Sequence, residues 1–309
     1  MNSLGFNKSE KDTKVVVAMS GGVDSSVAAV MLKKQGYNVT GITLKLYNNA
    51  NVSKNKSCCA GIDIEDAKNV ALNNDFEHIV LDYQDKFFNG VINNFVDSYA
   101  NGETPLPCVK CNETVKFSDL LNEAKKIGAD ALATGHYAIR KGSLNNASLH
   151  KAKDFSKDQS FFLFATRQEQ LNYVRFPLGD YKKKEIRQLA EKYKLSVSDK
   201  PDSQDICFVT SDSYRDLVKN LNPSVNKKGI IYDLDNNILG THDGISNYTI
   251  GQRKGIGISG SKNALYVIDI NKDQNSITLG TKEKLKKKVI KFKNINWLVG
   301  NILRKELYC

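Results

Sequence analysis

The sequence predicts an α/β fold, with a parallel sheet covered by helices and a smaller β-rich region after it. Three observations carry this prediction. Through the first half of the chain, apolar runs of strand length alternate with helical patterns. Those runs are nearly continuous in apolar residues, as expected of strands buried on both faces. From about Tyr214 onward the period shortens to two, with Asp-Asn and Asn-Lys turns in "GIIYDLDNNILGTHDG", "NALYVIDINKDQNSITLG" and "KVIKFKNINWLVG".

Taken in order, residues 15–19 read as the first strand. A glycine loop and a helix over 25–35 follow, closed by Gly36. Strands are expected at 38–46, 78–82 and 131–134, and helices at 64–73, 87–100 and 117–127. The connector 140–156 is rich in Asn, Ser, Gly and Lys and reads as a surface hairpin or loop. A further helix is expected over 182–193. Residues of chemical interest follow the strands, namely SGGVDS after the first, KLYN after the second and TGHY after the fourth. In open parallel sheets the ligand crevice lies at the carboxyl ends of the strands, so these loops converge on one site.

The bulk figures set the class. A chain of 309 residues can form two domains with a substantial core, and 40% of its residues are hydrophobic. No run approaches the length of a membrane span, and the polar start "MNSLGFNKSEKDTK" lacks a signal-peptide core, so a cytoplasmic address and no membrane partner are expected. The net charge of +11 favours a polyanionic partner. Two lysine clusters concentrate it, Lys182-Lys183-Lys184 and the tract "KEKLKKKVIKFK" over 282–293. Solvated faces are the plainer reading of both.

The loop of Ser20, Gly21, Gly22, Val23, Asp24 and Ser25 follows a strand and opens a helix, a layout that directs backbone N–H groups at a phosphate. It matches neither GxxxxGK[ST] nor GxGxxG. Six cysteines in a protein of this class point to metal or redox chemistry rather than a disulfide framework. Cys108 and Cys111 form a CxxC pair at a helix start, where a thiol is acidified. A structural zinc site, a thioredoxin-like pair, and a reactive thiolate or iron–sulfur site shared with a third cysteine are the readings of this spacing. Cys207 is the natural third; the adjacent Cys58 and Cys59 offer a fourth ligand or, on the plainer reading, are inert buried thiols.

Six segments in order, SGGVDSS, TPLPCVKCNETVKF, ATGHYA, KDQSFFLF, DSQDICF and TIGQRKGIGI, closely resemble the tRNA-specific 2-thiouridylase family of the PP-loop, or N-type ATP pyrophosphatase, superfamily. The resemblance runs from about Val15 to Leu298. It implies a PP-loop catalytic domain over 1–212, a small central tRNA-binding domain over 213–280, and over 281–309 the start of a β-barrel much of which is absent. The implied reaction adenylates carbon 2 of the wobble uridine in Lys, Glu and Gln tRNAs and replaces its oxygen with sulfur from a cysteine persulfide. ATP and Mg²⁺ are the implied cofactors, and a cysteine desulfurase or sulfur-relay protein the implied partner.

By motif position the resemblance assigns ATP binding to Ala18, Met19, Ser20, Gly21, Gly22, Val23, Asp24, Ser25, Leu44 and Gly135, with Mg²⁺ near Asp24. It makes Cys111 the nucleophile and Cys207 the persulfide carrier, and implies that the two form a disulfide in air-handled protein. Contacts to tRNA fall on Leu106, Pro107, Cys108, His136, Lys157, Asp158 and Gln159. A base must be extruded from its stack to be modified, so base flipping is implied, and the lysine clusters become phosphate contacts. One departure stands out. Cys108 occupies a position where the common family pattern has Asp, which adds a third thiol and makes a 4Fe-4S cluster on Cys108, Cys111 and Cys207 the alternative to persulfide relay. A small-molecule PP-loop ligase explains the loop but not the cysteines, and a catalytically incomplete tRNA-binding fragment is the other rival.

Overall fold

The computed structural model describes residues 1–47, 61–202, 205–209, 213–259 and 263–298. Cys58, Cys59 and Cys309 lie outside these residues. The chain divides into two compact units, one of Met1–Gly90, Cys108–Phe208 and the residues from Ile295, the other of Val91–Pro107 and Val209–Asn294.

The first unit is built on β1 (Lys14–Ala18), β2 (Asn38–Lys45), β3 (Glu77–Asp82) and β4 (Ala131–Thr134), close to the expected spans. All pair in parallel, in the order β3-β2-β1-β4, with a two-residue strand Val174–Arg175 added beside β4. The chain runs outward from β1 through β2 to β3 and then crosses back to β4 on the other side of β1, so the strand order reverses between β1 and β4, and a crevice opens beyond their carboxyl ends. Helix α1 (Val23–Lys34) buries Val23 and every residue from Ser25 to Leu32. Such all-round burial follows from its place between the sheet and a helix over Lys183–Lys192, which adds Ile186 and Ala190 to the same core. Helix α2 (Gly61–Asn73) packs Ala67 and Val70 there as well. No helix among the described residues is long and apolar enough to cross a membrane.

Two expected helices differ from their prediction in the same way. The segment 87–100 divides into α3 (Gln84–Phe87), a π-helical turn over Phe88–Ile92, and α4 (Asn93–Ala100). The helix expected over 117–127 begins ten residues earlier, as α5 (Pro107–Cys111), a π-helical stretch over Asn112–Leu120, and α6 (Leu121–Lys126). A π-turn inserts one residue and rotates everything after it, which a search for 3.6-residue periodicity cannot register. Pro107 opens α5 where its missing N–H costs nothing. The connector forms a hairpin, β5 (Ala138–Gly142) against β6 (Ala147–Lys151). Helix α7 (Gln168–Tyr173) leads into β7 (Val174–Arg175), and α8 is the helix Lys183–Lys192.

The second unit holds α9 (Tyr214–Leu221), absent from the sequence expectation, and the strands β8 (Gly229–Tyr232), β9 (Ile238–His242), β10 (Tyr266–Asn271) and β11 (Ser276–Gly280). They form one sheet in the order β10-β11-β8-β9 around a core of Ile231, Ile245, Val267, Ile277 and Leu279. Tyr99 of α4 stacks on Tyr214, with ring centroids 4.4 Å apart. The strand expected from "KVIKFKNINWLVG" is corrected: among the described residues, 286–298 forms none, and Val289, Ile290 and Phe292 are exposed. Alternation proposes a strand, but only a neighbour that accepts its backbone hydrogen bonds makes one.

Candidate active site

The turn after β1 is held by its own side chains and backbone. Ser25 Oγ accepts from the Ser20 N–H at 3.1 Å and donates to the Gly22 carbonyl at 3.2 Å, which closes the loop over the first turn of α1. Gly21 has a φ of +72°, and a Cβ placed there would lie inside the Asp63 backbone at the start of α2. Gly135, following β4, passes so close to α1 that a Cβ would sit 2.8 Å from the Ser25 nitrogen. The backbones of two loops therefore meet at one helix N-terminus, whose N–H groups favour an anion. Ala18 pairs with Ile42 of β2, and Leu44 lies two residues further along β2, at the rim of the same crevice. The structure thus brings Ala18, Met19, the SGGVDS loop, Leu44 and Gly135 to the strand ends of one sheet.

A charged network surrounds this loop. Lys183, at the start of α8, places its ammonium 2.7 and 2.8 Å from the two Asp24 oxygens and 2.8 Å from Asp202. Tyr137 donates its hydroxyl to Asp24 at 2.8 Å. Asp202 also receives Lys157 at 3.0 Å and Arg187 at 2.8 Å. On the other side, Lys200 reaches the Gly21 carbonyl at 3.0 Å, Asp63 at 2.5 Å and Asp66 at 2.6 Å. Tyr137 is held protonated, its hydroxyl pushed far up by burial and then by the Asp24 charge. Burial raises the Asp202 carboxyl, but hydrogen bonds from Lys183 and Lys157 prevail and hold it at about 2.

That depression has a measurable consequence. With Asp202 below its ordinary 3.8, the unfolded chain takes up the proton first as pH falls, so the stabilisation is complete above about pH 4 and is lost as pH drops through about 2. Asp202→Asn is expected to lower stability at pH 7 by about 2 kcal/mol and to flatten the dependence between pH 4 and 2. Urea titrations across that range check both.

Among the tRNA-contact candidates, Gln159 is hydrogen-bonded to Tyr137, the chain neighbour of His136. Gln159 exchanges backbone and side-chain hydrogen bonds with Tyr137, its Oε1 accepting from the Tyr137 N–H at 2.9 Å and its N–H donating to the Tyr137 carbonyl at 2.8 Å. Asp158 accepts from the Ala152 N–H at 2.7 Å and the Ser160 hydroxyl at 2.7 Å. These two side chains therefore shape the segment, while Lys157 joins the Asp202 network. His136 packs its ring edge-to-face against Phe117 and Phe176 and pairs Nδ1 with the Thr134 hydroxyl at 2.9 Å. Burial, with Lys116 nearby, pushes its pKa well below the ordinary value, so it is a neutral imidazole at physiological pH. Through Phe117, the helix run carrying Cys111 packs onto the same histidine.

Cys108 is exposed, Cys111 buried and Cys207 half-buried, each as a thiol. Cys111 lies at the junction of α5 and the π-helical stretch, and Asn112 beside it donates to the Phe162 carbonyl at 3.1 Å, tying the cysteine to the KDQSFF segment. Cys207 rides on residues 205–209, where Phe208 packs edge-to-face on Phe87 at 5.7 Å. Leu106 is exposed and Pro107 buried.

Among the described residues no set of three His, Cys, Asp or Glu side chains is disposed to hold a metal, and Cys108, Cys111 and Cys207 do not form one. Among the described residues, then, these three thiols are not placed as the ligand set of a 4Fe-4S cluster. Nor does Mg²⁺ fit directly on Asp24, because Lys183 already occupies both of its oxygens. Sequence reasoning missed Lys183, Lys200, Tyr137 and Asp202 as parts of the site. Lys183 stood instead in a cluster read as solvated or phosphate-binding, a reading that Lys182 and Lys184, both exposed, still allow.

The sheet order, the glycine turn at the strand-order reversal and the cationic groups around it define a nucleotide-activating α/β domain. Residues 13–211 match the family model described as the tRNA methyl transferase HUP domain, and 216–281 the tRNA methyl transferase PRC-barrel domain. The chain is 52% identical over 300 residues to the tRNA-specific 2-thiouridylase MnmA of Jannaschia sp. (strain CCS1), which covers 96% of this chain and 79% of that one. It is 50% identical over 308 residues to MnmA of Rhodospirillum centenum (97% and 79%), and 53% identical over 302 residues to MnmA of Orientia tsutsugamushi (97% and 82%). The chain belongs to the tRNA-specific 2-thiouridylase family.

Proposed function

We propose that this protein is a tRNA-uridine 2-sulfurtransferase that uses ATP to activate carbon 2 of the wobble uridine of Lys, Glu and Gln tRNAs and then replaces its oxygen with sulfur. The observation that carries this reading is the combination of an anion-binding glycine turn with cysteines on the packed segments around it. The family-model description mentions methyl transfer, but the relatives of about 50% identity over nearly the whole chain are 2-thiouridylases, and a thiolation that runs through a persulfide uses more than one thiol. A small-molecule ligase of the same fold would leave the cysteines and the basic surface unexplained.

The uridine oxygen attacks the α-phosphorus of ATP, and pyrophosphate leaves toward the N-terminus of α1, where Ser20, Gly21, Gly22 and Ser25 present N–H and hydroxyl groups. The adenylated carbon is then open to sulfur. The terminal sulfur of a persulfide on Cys207 attacks it, and AMP departs with the original oxygen. The Cys111 thiolate next attacks Cys207 Sγ; the new Cys111–Cys207 disulfide releases the sulfur on carbon 2 as the thione. An external thiol reductant restores both cysteines, and a cysteine desulfurase or relay protein reloads Cys207. Mg²⁺ accompanies ATP as its counterion.

On this reading, exposed Leu106 and Cys108 border the target base with Pro107, and neutral His136 offers a hydrogen bond rather than a charge to the RNA. Lys157 supplies a cation at the edge of the Asp202 network, on a segment shaped by Asp158 and Gln159. The exposed lysines of 282–293 give sequence-independent, salt-sensitive affinity. The division into a catalytic part (1–212), a central tRNA-binding part (213–280) and a barrel start (281–309) belongs to the same proposal, as does a cytoplasmic location.

The test is nucleoside mass spectrometry of unmodified Glu tRNA incubated with the protein, MgATP and a desulfurase with cysteine. A 2-thiouridine signal that requires ATP is expected. Folded protein that binds the tRNA but forms no 2-thiouridine would overturn the reading in favour of a catalytically incomplete tRNA-binding chain.

A further inference from the structure

On the relay proposed above, each cycle ends with Cys111 and Cys207 joined, and two electrons must reach that bond before the next cycle. The three thiols differ in how a reductant meets them. Among the described cysteines only Cys108 is exposed; Cys111 is buried and Cys207 half-buried. Beside Cys207, Phe208 is buried and packs edge-to-face on the buried ring of Phe87. Thiol–disulfide exchange depends on access of the incoming sulfur to the sulfur it attacks. A small thiol can slip in at Cys207. The active-site sulfur of a reducing protein, fixed in a folded surface, is stopped short of both.

The helix start offers another entrance. Cys108 and Cys111 lie three residues apart on α5. That spacing on an α-helix sets two residues on one face with Cα atoms about 5 Å apart. A disulfide spans Cα separations of roughly 4.4–6.8 Å. Drawing the two sulfurs together asks only for a slight tightening of the first turn, and that turn has little to lose. Pro107 carries no N–H, and the Cys108 N–H falls among the first four of the helix, which have no intrahelical acceptor.

We propose that Cys108 is the resolving thiol of this protein, passing electrons from a protein dithiol at the surface to the buried Cys111. The assignment rests on the sulfur-relay reading above. The Cys108 thiol gives its proton to solvent, and its thiolate attacks Cys111 Sγ. The Cys108–Cys111 bond forms, the Cys111–Cys207 bond breaks, and Cys207 leaves as a thiolate ready to be loaded with sulfur again. No electrons have entered at this stage. The external dithiol then attacks exposed Cys108 Sγ and releases the Cys111 thiolate, and its second thiol breaks the mixed disulfide. The protein gains two electrons and the dithiol leaves as a disulfide. Leu106 and Cys108, both exposed, border the target base on the same reading, so RNA covers this thiol during sulfur transfer and reduction follows product release. A thiol where the common family pattern has Asp thereby has a task of its own.

Disulfide trapping tests this. Protein loaded with persulfide by a desulfurase and cysteine, then desalted, is given MgATP and less than one equivalent of unmodified Glu tRNA without reductant. After an acid quench and alkylation with N-ethylmaleimide, trypsin cuts at Lys110, between the two cysteines, and mass spectrometry reads the linkage. A Cys108–Cys111 disulfide with alkylated Cys207 is expected, in step with 2-thiouridine. Cys111–Cys207 with alkylated Cys108, at the same yield of 2-thiouridine, overturns the proposal and leaves the relay standing. Absence of 2-thiouridine overturns the relay and this role together. Turnover gives a second measure. In Cys108→Ser, the ratio of turnovers driven by thioredoxin to those driven by excess dithiothreitol is expected to fall at least tenfold below the wild-type ratio. The ratio cancels any effect of the substitution on RNA contact or folding, and Cys108→Ala is read in the same way. An unchanged ratio in both variants overturns the proposal. Loss of turnover with either reductant places Cys108 in the sulfur transfer itself and overturns it too.

Discussion

Gly21→Ala is expected to abolish ATP binding, with at least a hundredfold loss of affinity in a titration with a non-hydrolysable ATP analogue. Two costs coincide at this residue. Its φ of +72° is disfavoured for any residue with a Cβ by about 1 kcal/mol or more. Far larger is the collision, because the added methyl would overlap the carbonyl of Asp63, which is backbone and cannot rotate aside. Either the turn opens or α2 retreats, and Lys200, which holds the Gly21 carbonyl and the Asp63 carboxylate together, loses its geometry in both cases. A melting temperature several degrees lower should accompany the lost affinity. Retained ATP binding in Gly21→Ala would mean that the turn is not where the nucleotide sits. Gly5 is a useful contrast, since it also has a positive φ but open space around its absent Cβ, so alanine there should leave ATP binding unchanged.

Cys111→Ser is expected to eliminate 2-thiouridine, by roughly a thousandfold or to below detection, while ATP affinity stays within twofold of wild type. A hydroxyl has nearly the bulk of a thiol but does not attack a sulfur–sulfur bond at neutral pH. Cys111 is buried, so the variant should also lose about 1 kcal/mol of stability, too little to unfold it. Cys207→Ser should match it in the thiolation assay. Cys108→Ser provides the discriminating arm. In the relay it is not consumed, and thiolation should persist within a few-fold; in a three-thiolate cluster its loss would be as severe as that of Cys111. Mass spectrometry of digested tRNA from parallel reactions reads all three. A dead Cys108→Ser with normal ATP affinity would overturn the relay.

Much of the first unit was legible because its signals are local. The strands β1, β2 and β4 are short apolar runs, and Gly36 ends α1 where a glycine with positive φ is needed. The glycine turn could be read as an anion cradle from six consecutive residues. What stayed hidden was of two kinds. Within elements, π-turns at 88–92 and 112–120 displaced the helical period, and the two residues of β7 are too few to show any period. Between elements, the pairs Asp24–Lys183 and Asp63–Lys200 join residues 159 and 137 positions apart, and nothing in a local window distinguishes Lys183 from its exposed neighbours. The family motifs supplied Asp24 without its counter-charge, and gave no sign that the side chains of Asp158 and Gln159 hold the protein's own backbone.

The chain passes from one compact unit to the other four times, at 90/91, 107/108, 208/209 and 294/295. The smaller unit is accordingly not a bead that can be cut from the string. A peptide spanning only 209–294 would carry Tyr214 without the Tyr99 ring it stacks on, Ile270 without the closely apposed Gly102, and Lys272 without Asn101, its hydrogen-bond partner at 2.6 Å. The stretch Val91–Pro107 that completes this unit runs directly into the CxxC helix. Gene fusions, domain transplants and limited proteolysis would all encounter the same obstacle: the segment that finishes the second unit is also the covalent lead-in to the helix of Cys108 and Cys111, so neither unit can be inherited, swapped or lost as a separate cassette.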